Sequence, residues 1–173
     1  TPGRALQGDT LGIWSYGKLG KRVAGYGKAF GMDVVVWGRE ASRAQAQADG
    51  YRVADSKQSF FAQADIVSLH LRLNAATTGI VTLEDLQAMK PSALLVNTSR
   101  AELVAPGALQ QALAQGRPGY AALDVFETEP VAGNEWFLSA DNVVATPHLG
   151  YVEQKGYEIY FRAAFENVAG FFA

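Results

Sequence analysis

The sequence of 173 residues has no cysteine, only two histidines and few charged residues, which make up 18% of it. The absence of cysteine excludes disulfide bonds, a catalytic thiolate and a cysteine-ligated zinc site, and it fits a reducing compartment. The two histidines, His70 and His148, are far apart in the sequence, so no local histidine cluster indicates a metal centre. We therefore predict no metal site, and we expect a cytoplasmic protein.

Long hydrophobic runs and an excess of one charge are also missing. No apolar run approaches the roughly 18 residues that a membrane-spanning helix needs, and the polar residues 1–9 have no signal-peptide core. Lys and Arg number 15 and Asp and Glu number 17, which gives a net charge of −2. Such a balance gives no electrostatic reason to expect a nucleic acid or an anionic membrane as partner. Because 49% of the residues are apolar, we expect a folded core.

Short apolar runs alternate along the chain with segments of helical periodicity. The pattern predicts strands at 10–14, 33–37, 51–53, 65–70, 93–97, 120–125 and 142–145. It predicts helices at 19–30, 40–49, 56–64, 82–89 and 106–115, and a long amphipathic helix at 152–172. Strands separated by helices pair in parallel, and continuous apolar strands indicate that both faces are covered. We therefore predict a doubly wound α/β sheet with helices on both faces, which binds ligands at the carboxyl ends of its strands.

Three of the predicted helices carry sequence signals. Apolar residues at helical spacing, such as Leu19 and Tyr26, mark the first helix. Thr82 precedes Asp85 by three positions, which is a near capping box at the start of the fourth helix. Pro106 stands in the first predicted turn of the fifth helix, where its missing N–H is tolerated.

The turn after the first strand reads Ser15-Tyr16-Gly17-Lys18-Leu19-Gly20. It matches the dinucleotide-binding pattern Gly-x-Gly-x-x-Gly, with serine in place of the first glycine. The middle glycine lets the backbone approach a pyrophosphate, the last lets the helix pack closely, and the helix N-terminus offers N–H groups to phosphates. We expect all six residues to bind the cofactor, with Ser15 tolerated if its φ is negative and its hydroxyl free to contact a phosphate. The alternative is an ordinary turn between a strand and a helix.

The end of the second strand bears on the choice of dinucleotide. An acid for the ribose hydroxyls is expected about 20 residues after the glycine turn, and this position holds Gly38, followed by Arg39. Losing the acid and gaining a guanidinium favours a 2′-phosphate, so we predict NAD(P) as cofactor with a slight preference for NADP. The alternatives are that Arg39 and Arg43 only begin a solvated helix, or that Glu40 reaches a ribose.

Three later strand ends carry Arg, Glu and His, in the segments Asn97-Thr98-Ser99-Arg100, 121–130 and Thr146-Pro147-His148-Leu149-Gly150. With further motifs at 29–32, 68–71 and 89–91, they make most of the chain resemble the D-isomer-specific 2-hydroxyacid dehydrogenases. That family includes phosphoglycerate dehydrogenase and glyoxylate/hydroxypyruvate reductase. The resemblance implies a Rossmann-type fold and hydride transfer between a nicotinamide cofactor and a small D-2-hydroxy acid or 2-oxo acid.

The resemblance also implies catalytic roles for three residues. Arg100 would bind the carboxylate of the substrate and polarise its keto oxygen through a two-pronged guanidinium. His148 would donate a proton to that oxygen in reduction, or accept one in oxidation. Glu129 would pair with His148 and favour its protonated form, with Glu127 as the competing acid.

Further strand-end residues are placed on the cofactor side by the same resemblance. Asp124 matches the family position that binds the nicotinamide carboxamide, and the alternative is that it caps the following turn. His70 and Thr98 would line the cofactor without acting in catalysis.

Two other interpretations of the sequence stay open. A non-catalytic scaffold that senses a dinucleotide, like the corepressors related to this family, could retain Arg100, Glu129 and His148. A methylated-thioether hydrolase with a tightly held NAD would use cysteine and lysine chemistry, and cysteine is absent.

We divide the chain into an NAD(P)-binding domain at 1–150 and a crossover helix at 151–173 that leads to a substrate domain outside this sequence. We expect the chain alone to bind a dinucleotide but to turn over little or nothing, because the cleft needs both halves to exclude water and orient substrate. The family implies a homodimer formed through the cofactor domain and a small carboxylate substrate. The sequence does not identify which 2-hydroxy acid that substrate is.

Overall fold

The structure is a computed structural model that describes residue 3 and residues 5–172. Residues 1, 2 and 4 of the predicted domain at 1–150, and residue 173 of the predicted crossover helix, lie outside the described residues. The strands are β1 (Thr10–Trp14), β2 (Asp33–Trp37), β3 (Arg52–Val53), β4 (Ile66–Leu69), β5 (Leu94–Asn97), β6 (Tyr120–Leu123) and β7 (Val143–Ala145). The α-helices are α1 (Lys18–Ala29), α2 (Glu40–Ala48), α3 (Lys57–Gln63), α4 (Leu83–Ala88), α5 (Ala108–Ala114) and α6 (Gln154–Phe172). Short 3₁₀ helices at Ala101–Leu103 and Trp136–Leu138 follow β5 and precede β7, and the sequence did not predict them.

All seven strands form one parallel sheet, in the order β3-β2-β1-β4-β5-β6-β7. The prediction of a doubly wound α/β sheet is therefore confirmed, with element ends that shift by one or two residues. Trp14 at the end of β1 pairs with Trp37 on one side and with Leu69 on the other. The strand order reverses between β1 and β4, so a crevice opens above the carboxyl end of β1.

The starts of α4 and α5 differ in how well the sequence predicted them. Thr82 and Asp85 complete the capping box, because each side chain accepts a hydrogen bond from the backbone N–H of the other. Pro106, in contrast, lies before α5 and not in its first turn. Gly107 adopts a φ of 72° and the helix begins at Ala108, so a left-handed glycine sets this start.

Small residues bring α1 close to the sheet. Gly20, Ala24 and Gly27 are buried on the face that meets β1 and β2. Leu19 and Tyr26, which mark the helix in the sequence, are exposed instead. A helix can lie this close to a strand only where its contact face carries few side-chain atoms. Leu19 and Tyr26 therefore do not form the core, whereas Val23 packs against its edge.

Side chains of β1 and β2 alternate between two apolar clusters, one on each face of the sheet. Ile13 and Val36 belong to the cluster under α1 and α2, whereas Trp14 and Val35 belong to the larger cluster under α3, α4 and α5. Beyond β4 the second face is less covered within the described residues, and Val144 is 66% exposed there. Helices thus cover both faces only over the half of the sheet that surrounds β1.

The last helix has little contact with the rest of the described chain. α6 has no buried residue, and Phe165 is 71% exposed on it. Across the described residues, no helix combines the length and the apolar character that crossing a membrane requires.

Candidate active site

The residues singled out by the sequence lie along one edge of the sheet, where the parallel strands end. Leu69 of β4 pairs with Asn97 of β5, and Leu123 of β6 pairs with Ala145 of β7. The segments that follow these four strands therefore begin at similar levels. They share this edge with the turn that follows β1.

Ser15 opens that turn in a left-handed backbone conformation. Its φ is 81°, so the condition under which the sequence analysis tolerated serine here, a negative φ, is not met. The first position of the turn requires this conformation, which glycine adopts freely and serine adopts at a cost of about 1–2 kcal/mol. The Ser15 N–H donates to the carbonyl oxygen of Trp37 at 2.8 Å, which ties the turn to the end of β2. Among the described residues, the Ser15 hydroxyl has no hydrogen-bond partner.

The rest of the turn fits a pyrophosphate group. A Cβ atom on Gly17 would meet no described atom within 4 Å, whereas one on Gly20 would collide with the carbonyl oxygen of Ser15. In the described part of the chain, no side chain caps α1 and no acidic residue lies in its first turn, where Lys18 and Leu19 are exposed. Open backbone and free N–H donors without a negative charge are what a phosphate requires at a helix N-terminus.

Tyr16 differs from the other residues of the turn because its side chain is buried. Its hydroxyl donates to Asp49 Oδ2 at 2.9 Å, and Lys21 Nζ lies 2.7 Å from the same oxygen. Burial, and then the bond to Asp49, raise the pKa of Tyr16, while the bonds from Lys21 and Tyr16 lower the pKa of Asp49. The Tyr16 side chain therefore anchors the turn to the end of α2 and is not available to a cofactor.

The end of β2 carries positive charge from two arginines. Gly38 has a φ of 152°, so a side chain at this position would be strained. Arg39 is exposed at the start of α2, and its guanidinium has no partner among the described residues. The Arg43 guanidinium lies 4.9 Å from the centre of the Trp37 ring. Glu40 is exposed in the first turn of the same helix.

His70 follows β4 at the point where the strand order reverses. Its backbone N–H donates to the carbonyl oxygen of Trp14 at 3.0 Å, and its Nε2 lies 3.0 Å from Ser68 Oγ. Burial lowers the pKa of His70, so the ring is neutral near pH 7. A neutral, half-buried imidazole at the switch point can line a ligand without exchanging a proton with it.

Arg100 is exposed after β5, on a loop whose backbone is fixed by hydrogen bonds. Asn97 Nδ2 donates to the Arg100 carbonyl oxygen at 2.9 Å, and Asn97 Oδ1 accepts from the Ser99 N–H at 3.1 Å. Ser99 Oγ donates to the carbonyl oxygen of Leu69 at 2.6 Å. Arg100 Nη1 donates to the carbonyl oxygen of Ser99, which leaves most of the guanidinium free to bind a carboxylate. Thr98 is exposed beside it.

Glu129 and His148 come together from the segments after β6 and β7. Glu129 Oε2 lies 2.8 Å from His148 Nδ1, and Glu129 Oε1 accepts from the Phe126 N–H at 3.0 Å. The bond with His148 is the main cause that lowers the pKa of Glu129, and the charge of Arg100 acts in the same direction. Glu127, the competing acid, is exposed and does not contact His148 in the structure. The contact fixes the orientation of the imidazole ring.

Asp124 lies beneath the loop that carries His148. It is only 5% exposed and accepts hydrogen bonds from the Thr146 hydroxyl and from the backbone N–H groups of Leu149 and Gly150. Burial by itself raises the pKa of Asp124, but these bonds outweigh it, so the pKa lies below its ordinary value. These contacts lie in the loop after β7 and not in the turn directly after Asp124, so they do not match the alternative in which Asp124 caps that turn. Its binding of a carboxamide stays a prediction.

Three supporting residues were not singled out by the sequence. Asn97 and Ser99 shape the Arg100 loop, and Thr146 donates to Asp124 at 2.6 Å. The Asn-x-Ser spacing is a signal for the first two, because an asparagine side chain often bonds the N–H two residues on. No such local signal exists for Thr146. In the part of the chain that the structure describes, no three acidic or histidine side chains group as metal ligands.

Comparison with known proteins places these features in one family. The model of the D-isomer specific 2-hydroxyacid dehydrogenase, NAD binding domain, matches residues 1–150. The chain is 42% identical over 148 residues to a protein of Aeropyrum pernix named glyoxylate reductase, a match that covers 84% of this chain and 43% of that protein. The chain spans about a quarter to a half of the length of the curated relatives it matches.

Two solved structures extend the comparison. A phosphoglycerate oxidoreductase from Vibrio cholerae has a TM-score of 0.94 and 58% identity, over 99% of this chain and 55% of that one. An NADPH-dependent glyoxylate/hydroxypyruvate reductase from Sinorhizobium meliloti has a TM-score of 0.77 and 25% identity, over 96% of this chain and 67% of that one. All three proteins are named as reductases or oxidoreductases, which gives no support to the scaffold alternative.

Proposed function

The chain belongs to the D-isomer specific 2-hydroxyacid dehydrogenase family, as its NAD-binding domain, and from this premise we propose that it binds NADPH and takes part in reducing a small 2-oxo acid. The observation that carries the proposal is the 2.8 Å contact between Glu129 and His148, at the strand edge that also carries Arg100. A relative named glyoxylate reductase supports a small substrate with a carboxylate beside a carbonyl.

Three side chains divide the chemistry between them. Arg100 binds the substrate carboxylate and polarises the keto oxygen. His148 donates a proton to that oxygen through Nε2, because Nδ1 is bonded to Glu129. Glu129 fixes the imidazole ring and stabilises its charged form. When bound, the reduced nicotinamide supplies the hydride.

The cofactor site extends from the glycine turn at 15–20 to the ends of the neighbouring strands. The turn holds the pyrophosphate, with Tyr16 contributing backbone only. His70, Thr98 and Asp124 line the nicotinamide side. Arg39 binds the 2′-phosphate of NADP. Two observations support this assignment: the Arg39 guanidinium has no partner among the described residues, and the backbone conformation at position 38 would strain an acidic residue there.

The wider organisation is part of the same proposal. Residues 1–150 form the cofactor domain, and residues 151–173 lead to a substrate domain, which gives a role to the exposed apolar residues of α6. We further propose a cytoplasmic homodimer that binds neither nucleic acid nor a membrane.

The test is a fluorescence titration of the chain with NADPH and NADH, followed by oxamate, an unreactive 2-oxo acid analogue. We expect tighter binding of NADPH, and binding of oxamate to the NADPH complex. Arg100→Gln should weaken oxamate binding about ten- to a hundredfold, as the loss of a charge-assisted contact implies. Arg39→Gln should weaken NADPH binding about tenfold and leave NADH unchanged.

Arg162→Gln is the matched control, because Arg162 is exposed on α6. This variant should bind both nucleotides and oxamate as the unaltered chain does. The proposal would be contradicted if neither nucleotide bound. It would also be contradicted if oxamate bound to Arg100→Gln as tightly as to the unaltered chain. Equal loss of NADH and NADPH in Arg39→Gln would contradict the assignment of NADP.

A further inference from the structure

The hydrogen bonds of Asp124 surround the backbone of His148. Asp124 Oδ1 accepts from Thr146 Oγ1 at 2.6 Å and from the Leu149 N–H at 2.7 Å. Asp124 Oδ2 accepts from the Gly150 N–H at 2.8 Å. These donors lie two residues before His148 and one and two residues after it. A single buried carboxylate therefore fixes the loop on both sides of the imidazole.

The loop needs such an anchor because His148 has an unfavourable backbone conformation. Its φ is 54°, in the left-handed region that residues other than glycine seldom adopt. The His148 N–H donates to the carbonyl oxygen of Thr146 at 2.9 Å, which tightens the bend further. Residues persist in such conformations only where their surroundings hold them there. The bonds of Asp124 hold the backbone on both sides of His148.

We propose that Asp124 is a positioning residue for His148, which holds the loop at 146–150 in the shape that brings the imidazole to Glu129. The role of His148 itself rests on the proposed function, but the anchoring does not. It acts in the protein without cofactor, because every donor belongs to this chain. Glycine at 150 is part of the same arrangement, since a Cβ atom there would lie 2.9 Å from Asp124 Oδ2.

This role differs from the one that the family resemblance implies for Asp124. A carboxylate offers about four acceptor positions, and three are already used by the loop. A carboxamide could use the remaining one, so the two roles are compatible. They are separated by removing the cofactor, because only the anchoring role predicts an effect in its absence.

The experiment uses NMR to measure hydrogen exchange of the backbone amides in the chain without cofactor. It compares the unaltered protein with Asp124→Asn and Asp124→Ala. We expect the Leu149 and Gly150 amides to exchange about tenfold faster or more in Asp124→Ala, as loss of a bond to a charged group implies. Asp124→Asn retains one side-chain oxygen, so the Leu149 and Gly150 amides should exchange more slowly in it than in Asp124→Ala. Imidazole resonances report the second consequence: His148 should lose its bond to Glu129, while the signals of His70 stay in place.

Asp141→Ala is the matched control, because Asp141 is an exposed carboxylate just before β7. Its exchange pattern should match that of the unaltered chain. If Asp124→Ala does not fold, Thr146→Val removes one donor and keeps the carboxylate, and should speed exchange at Leu149 about threefold. Unchanged exchange in the folded variants, with a loss of NADPH binding, would overturn the inference and leave Asp124 as a cofactor contact. Failure of the nucleotide titrations would overturn the proposed function and leave this result intact.

Discussion

Two regions of the site each contain a residue with a strained backbone, and each supports it differently. One is the glycine turn at 15–20, and the other is the acid–base edge, formed by Asp124, Glu129 and His148. In the turn, Ser15 is left-handed and the surrounding shape depends on missing side chains, since a Cβ atom on Gly20 would not fit. At the edge, His148 is left-handed and the shape depends on carboxylates that accept hydrogen bonds.

One site thus combines a steric and an electrostatic support. Missing Cβ atoms do not titrate, so the packing of Gly20 is independent of pH. The edge depends on two carboxyl groups whose pKa values are lowered by their partners, so its support ends in acid. Substitutions that add volume should therefore damage the turn, and substitutions or conditions that remove charge should damage the edge.

Gly20→Ala should have the largest effect. The added methyl group would collide with the Ser15 carbonyl oxygen, and that backbone is fixed by the bond from the Ser15 N–H to Trp37. We expect a loss of about 3 kcal/mol in the free energy of unfolding, the upper end of the usual cost of overpacking. Urea unfolding measures it, and nucleotide binding should be lost with it.

Gly25→Ala is the matched control in the same helix. A Cβ atom at Gly25 meets no described atom within 4 Å, so the substitution should stabilise α1 by about 0.5–1 kcal/mol. If both variants unfold at the urea concentration of the unaltered chain, the steric account of the turn is wrong.

Asp124→Asn should have an intermediate effect that depends on pH. At pH 7 the loss of charge at a buried acceptor should lower the free energy of unfolding by about 2 kcal/mol. The pKa of Asp124 lies below its ordinary value in the folded chain, so its contribution is complete above the ordinary pKa of about 4. It is lost as the pH falls through the lower, folded value. The difference between the two proteins should therefore be constant from pH 7 to about pH 5 and shrink in more acid solution.

Urea titrations at a series of pH values measure this difference. Asp141→Asn, at an exposed carboxylate, should differ little from the unaltered chain throughout. A difference for Asp124→Asn that grows as the pH falls would reverse the predicted sign and contradict the account of the edge.

The sequence predicted the sheet well because its strands are short apolar runs, most of them well buried. The short apolar runs at 33–37 and 93–97 are typical of strands in the interior of a sheet. The helices that alternate with the strands require parallel pairing. The segments that carry Arg100, Glu129 and His148 were also found, because each follows a strand and parallel strands end at one edge. Glu129 was preferred to Glu127 by resemblance, and the contact with His148 agrees with that preference.

What the sequence could not supply are contacts between distant segments. The helical spacing of Leu19 and Tyr26 identified α1. Gly20 and Gly27 form its buried face because the helix packs closely against β1, and this distance could not be inferred from the sequence. The burial of Tyr16 depends on Asp49, which lies at the end of another helix. The left-handed conformation of Ser15 follows from the geometry of the turn, which the residue type alone does not reveal.

Ser15→Gly should have the smallest effect on stability. It removes a side chain from the turn, whereas Gly20→Ala adds one. Glycine relieves the left-handed conformation, worth about 1–2 kcal/mol, but it also gives the unfolded chain more freedom, worth about 0.5–1 kcal/mol. The net result should be a gain of about 0.5–1 kcal/mol in the free energy of unfolding, measured in urea.

Nucleotide binding should move in the other direction. The Ser15 hydroxyl has no partner among the described residues, so it is free to donate to a phosphate oxygen, and its removal should weaken NADPH binding about three- to tenfold. Ser15→Ala separates the two effects, because it lacks the hydroxyl but retains the Cβ atom that makes the conformation costly. Ser15→Ala should therefore bind NADPH as weakly as Ser15→Gly without gaining stability. Equal stability of the two variants would mean that the turn does not strain residue 15, and the turn would then differ from the edge in holding no strained residue at all.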